Sequence, residues 1–205
     1  MGEPRNRDTS PVESKRGEAG AIAALAIIAI AAVIVSLLVA PGLAGILAAA
    51  LAFDVLAIAW IDAHRFIIPD ELTLAAFALG IANAALDPWP EGWSAVFASI
   101  GAALVRGAVL AGCFFALRAI YARLRGREGI GLGDVKLAGA AGMWLAWATI
   151  PVAIEIAALA ALTVYVVRHV GGGRVMSATA RMPFGLFLAP AIWLGWLLEA
   201  TLFAS

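Results

Sequence analysis

Residues 21–40 read AIAALAIIAIAAVIVSLLVA, a run with Ser36 as its one polar side chain and no charge. About 20 apolar residues in helical conformation cross a hydrocarbon core about 30 Å thick, and this run has that length. Similar runs follow at about 43–61, 71–86, 95–117, 134–149, 152–168 and 183–203. Each is apolar throughout, without the one-sided stripe by which a helix in water hides half its surface. The sequence therefore predicts an all-α fold, a polytopic membrane helical bundle of about seven transmembrane helices in contact with the lipid bilayer. Composition agrees, with 63% hydrophobic and 14% charged residues.

Helix-stopping residues stand between the runs: Pro41-Gly42, Asp87-Pro88-Trp89-Pro90, the stretch from Ala148 to Pro151, and Gly171-Gly172-Gly173. Residues 1–20 are polar, mixed in sign and rich in Gly, Pro and Ser, which predicts a disordered cytoplasmic tail ahead of one transmembrane domain over residues 21–205. The single cysteine, Cys113, lies within an apolar run, so the chain has neither a disulfide framework nor a CxxC metal pattern. A formal net charge of zero without a basic block gives no footprint for nucleic acid, and neither metal nor organic cofactor is expected.

Position, not sum, makes the charges informative. With the N-terminus inside, every Lys and Arg except Arg106 falls in the tail or in an inside loop, and the outside loops carry none. Trp89, Trp93 and Trp147 then sit at the outer interface, where aromatic rings favour headgroup depth. This orientation, derived from cations alone, brings two acidic clusters to the same inner face: Asp62 with Asp70, and Asp134 with Glu128.

Two carboxylates held close cannot both ionise easily, so one keeps a proton while the other stays charged, the division of labour that acid and base catalysis needs. Asp134 follows Gly131-Leu132-Gly133, where missing side chains leave room for a peptide backbone, and it opens a helix whose dipole favours a carboxylate. An Asp at a helix start is also an ordinary N-cap, and Asp70, after Pro69, reads most simply as the cap of the third span. Lys136, two residues past Asp134, is placed to hold a carboxylate charged, to meet an acidic substrate residue or to snorkel at the interface. Glu128 reads as a partner for nearby arginines or as a residue that shapes the loop.

The segment Ile61-Asp62-Ala63-His64-Arg65-Phe66-Ile67-Ile68-Pro69-Asp70-Glu71-Leu72-Thr73-Leu74 closely resembles the first catalytic segment of bacterial type IV prepilin peptidases, GxGD membrane aspartyl proteases. Arg127-Glu128-Gly129-Ile130-Gly131-Leu132-Gly133-Asp134-Val135-Lys136-Leu137 resembles the second, and Pro183-Phe184-Gly185-Leu186-Phe187-Leu188-Ala189 a later one, with Leu186 in place of its usual second proline. The resemblance implies a multi-pass inner-membrane endopeptidase with Asp62 and Asp134 as catalytic aspartates. Its substrates would be type IV prepilins or pseudopilins of pilus or type II secretion systems, cut at the cytoplasmic face to release a short basic leader. Larger members carry paired CxxC motifs associated with N-methylation; their absence from the 205 residues leads to the expectation of a peptidase-only member. Two other classes fit a charged membrane bundle: a small transporter, or a non-catalytic assembly subunit of a pilus or secretion system. A transporter should line its path with charge at mid-depth, and a dead homologue should lack one aspartate. Which prepilin is cut and whether the chain dimerises are left open.

Two charges are unaccounted for by the motifs. Asp54 and Arg106 each lie eleven positions from the outer end of a span, roughly 16 Å deep. The matched depth of opposite charges predicts a structural ion pair between them.

Overall fold

The computed structural model describes the backbone of residues 11–86, 89–126, 129–172 and 183–202. Within them the chain forms seven α-helices and a 3-10 turn at Trp89–Glu91. The helices are α1 (Pro11–Val39), α2 (Leu43–Arg65), α3 (Asp70–Leu86), α4 (Trp93–Arg125), α5 (Leu132–Trp144), α6 (Thr149–Gly172) and α7 (Gly185–Leu202). The all-helical expectation holds, and the helices come in the expected order. The apolar part of α1 begins at Ala19, although the helix itself opens at Pro11, inside the stretch expected as a tail.

Five helices, α1, α2, α4, α6 and α7, are long and apolar enough to span a bilayer. With 17 residues, α3 reaches about 25 Å, and α5, with 13, only about 20 Å. The short α5 is packed between α3, α4 and α7. Val135 and every residue from Leu137 to Trp144 are buried, so α5 meets protein on all sides where α1, α4 and α6 expose Ile, Leu, Val and Phe to lipid.

Small residues make that burial possible. A Cβ on Gly142 would stand 2.6 Å from the Arg106 carbonyl, and one on Gly107 would stand 2.9 Å from the Gly139 carbonyl, so α4 and α5 touch backbone to backbone. Polar groups released at the far end of α5 are satisfied from the sides. The Trp144 indole N–H donates to the Ala76 carbonyl at 2.9 Å, and the Ala146 N–H donates to Glu199 at 2.6 Å.

The expected pairing of Asp54 with Arg106 is not formed. Arg106 Nε instead donates to the Gly142 carbonyl at 3.2 Å, across the α4–α5 contact. Asp54 is buried with Oδ2 unpartnered. Equal depth on two helices brings charges together only when those faces meet. The last turn of α5, by contrast, offers carbonyls without helical partners and the negative end of the dipole, which suit a guanidinium.

Candidate active site

Three chain segments converge at one end of the bundle: the α2–α3 turn, the α4–α5 loop and the start of α7. They enclose an open cleft of about 330 Å³, lined by Asp62, Phe66, Ile67, Ile68, Asp70, residues 129–134, Pro183 and Phe184. Asp62 and Asp134 thus reach one cleft from helices 72 positions apart in sequence.

Asp62 is 5% exposed in the last turn of α2. The helix stops four residues later because Phe66 turns left-handed (φ 55°), its N–H bonding back to the Asp62 carbonyl at 2.9 Å, and Pro69 prevents continuation. The Asp62 side chain points to the beginning of α7, where the Leu186 N–H donates to Oδ2 at 2.9 Å. That N–H is one of the four that a helix start leaves without internal partners, and the dipole adds positive potential around the carboxylate. Gly185 allows the approach: a Cβ there would lie 2.8 Å from Asp62 Oδ2 and 2.7 Å from Ile68 Cδ1.

Asp134 occupies the first turn of α5 and accepts the Gly131 N–H at 3.1 Å, the half of a capping box that a glycine N-cap allows. Burial, opposed by the Gly131 N–H and aided by the charge of Asp62, pushes its carboxyl up to about 6. The loop before it is folded back on α4, with Gly129 so close against the Tyr121 ring that a side chain there would clash. Gly133 is equally constrained, since its Cβ would meet Ile68 Cβ at 2.9 Å.

Asp70 and Lys136 are brought together at the rim, Nζ to Oδ1 2.6 Å, both well exposed. Asp70 opens α3, so this pair ties the start of α3 to the first turns of α5 beside the cleft. Of the sequence-derived residues, Asp62, Asp70, Gly131, Gly133 and Asp134 line the cleft, and Lys136 joins it through Asp70. Asp54 and Arg106 do not belong to it, and Glu128 lies outside the described residues. Among the described residues no group of three or more His, Cys, Asp or Glu side chains gathers as a metal site would.

Ile68 in the cleft lining, and Gly185 and the Leu186 N–H against Asp62, lie in the segments quoted from the sequence but had no role assigned to them there. A glycine directly before an apolar run was a visible sign of close approach; Ile68, one apolar residue among several, carried none.

The sequence profile of the type IV leader peptidase family matches residues 49–166. The prepilin leader peptidase/N-methyltransferase of Burkholderia pseudomallei is 36% identical over 150 residues, 73% of this chain and 45% of the relative. Its namesake in Aeromonas hydrophila is 29% identical over 170 residues, 81% of this chain and 54% of that protein. The one in Escherichia coli is 31% identical over 143 residues, 70% and 60% of the two chains. This chain therefore spans about half the length of the curated relatives it matches. No solved structure matches it. With more than half of its length inside the family profile and two acidic segments meeting in one cleft, the chain belongs to the type IV leader peptidase family.

Proposed function

We propose that this chain is an aspartyl endopeptidase of the inner membrane that removes the short basic leader of type IV prepilins or pseudopilins at the cytoplasmic face. The observation that carries the reading is the shared cleft: two carboxylates from separate helix ends, each accepting a backbone N–H and both lining one open cleft.

The pair shares one proton. Asp134, the member pushed up toward neutrality by burial and by its neighbour's charge, keeps it, and Asp62 is the partner that acts as the base. Asp62 takes a proton from water as its oxygen attacks the scissile carbonyl carbon, and Asp134 gives its proton to the carbonyl oxygen. Collapse of the tetrahedral diol breaks the C–N bond. The proton on Asp62 passes to the leaving amine, and a diol hydroxyl returns one to Asp134, so both carboxylates end as they began.

Co-expression with candidate prepilins, read by the mass of the pilin product in isolated inner membranes, tests the reading. Leader loss that requires this chain is expected. An unchanged prepilin with every candidate, in the presence of correctly inserted protein, overturns it.

A further inference from the structure

Ile68 is buried between the two halves of the cleft. On one side its Cβ lies where a side chain on Gly133 would have to go, and Gly133 immediately precedes Asp134. On the other its Cδ1 lies where a side chain on Gly185 would go, and Gly185 is packed equally closely on the Asp62 carboxylate. One aliphatic side chain therefore fills the space between the backbone that carries Asp134 and the helix end that holds Asp62. It is 8% exposed even though it borders the open cleft.

From this geometry we infer that Ile68 is a positioning residue, a rigid spacer that sets the separation of the Asp62 and Asp134 carboxylates and keeps water from the gap behind them. β-Branching suits the task, because such side chains have few rotamers and hold their width. Both neighbours being glycine is the complementary half of the device: backbone rests directly on the spacer, so its width is passed to each aspartate without an intervening flexible group. The ion pair of Asp70 with Lys136 closes the same turn onto α5 from the solvent side.

The inference rests on the aspartyl-protease reading for its consequence in catalysis, but the separation it describes is a property of the protein without substrate. Among the described residues, the charged groups around Asp134 are Asp62 from α2, Asp70 at the start of α3 and Lys136 on its own helix. Truncating Ile68 opens the gap behind the carboxylates to water. Hydration lowers the affinity of Asp134 for its proton, since burial is the largest cause that raises it.

The experiment uses the full chain in lipid nanodiscs, as parent, Ile68→Val and Ile68→Ala. The carboxyl infrared band assigned to Asp134 by its loss in Asp134→Asn is titrated without substrate, and prepilin cleavage is measured alongside. In Ile68→Ala the Asp134 band should titrate at distinctly lower pH. Its kcat should fall by about tenfold or more, as expected for misplaced reacting groups, with KM changed much less. Ile68→Val, which keeps the branched Cβ against Gly133 but loses the Cδ1 against Gly185, should fall between the parent and Ile68→Ala in both. An Asp134 titration unmoved in Ile68→Ala overturns the spacer, whatever happens to activity. A shifted titration in a chain whose parent cleaves no prepilin upholds the spacer and overturns the proposed function instead.

Discussion

The carboxylate of Asp62 accepts the backbone N–H of Leu186 at 2.9 Å, a bond that joins the end of α2 to the start of α7 across 124 positions of sequence. It ties the late Pro183-Phe184-Gly185-Leu186 segment, whose first two residues line the cleft, to Asp62, and gives Gly185 a specific duty. Gly185→Ala places a methyl group against both Asp62 and Ile68, so the N–H and the carboxylate must separate. Cleavage is expected to drop by about 10²-fold, the scale of a roughly 1 Å misplacement, while membrane insertion is retained. A gel-shift assay on co-expressed prepilin, with Leu186→Ala as the control that keeps the N–H, checks it.

Asp62→Asn and Asp134→Asn should each reduce cleavage to background in properly inserted protein, because one carboxylate cannot serve as acid and base together. The double variant should be no worse than either single one, as is usual for groups that act as a unit. Substantial turnover by either single variant removes the dyad.

Asp70→Asn and Lys136→Met should be far milder. The pair they break is exposed, and such pairs contribute about 0.2–1 kcal/mol, screened by salt. A loss of no more than about fivefold in cleavage is expected, largely recovered in the charge-exchanged Asp70→Lys, Lys136→Asp chain. No recovery in that chain, together with near-complete loss in Lys136→Met, assigns Lys136 to the substrate.

Arg106→Leu should lower the thermal stability of the detergent-solubilised protein, because the Gly142 carbonyl at the α4–α5 contact loses its donor inside the bundle. The cost of an unsatisfied buried carbonyl is about 1–3 kcal/mol. Asp54→Asn should add to this change independently, with a coupling energy near zero in a double-mutant cycle, since the two side chains share no contact. Strong coupling contradicts the arrangement described.

The pH dependence follows from Asp134. Its carboxyl is raised from 3.8 to about 6, so the folded protein binds this proton more tightly than the unfolded chain does. Stability from this source is fully present below the unfolded value and is lost as pH rises through about 6. Cleavage that needs Asp134 protonated should decline over the same range, and Asp134→Asn should remove this group's share of the stability decline. Thermal melts from pH 4 to 8, with initial cleavage rates at each pH, measure both.

The existence of the helices was legible in the chain because entry into lipid is a local property, summed over contiguous side chains: residues 21–40 need no neighbours to prefer a bilayer. The expectation that Asp62 and Asp134 share one face was likewise drawn from where Lys and Arg stop along the chain. What lies beside what is not local. The depths of Asp54 and Arg106 were equal along the chain, yet lateral packing gave Arg106 to the Gly142 carbonyl and left Asp54 alone. α5 reads as one more apolar run, but its 13 residues are enclosed by α3, α4 and α7, which explains a helix too short to span by itself. Ile68 has meaning only between Gly133 and Gly185, and Asp62 finds its donor at Leu186, because those contacts arise when distant segments are pressed together. Solvent preference is written residue by residue and set seven apolar runs; the width of the cleft depends on volumes contributed by three separate segments, and tertiary packing alone decided it.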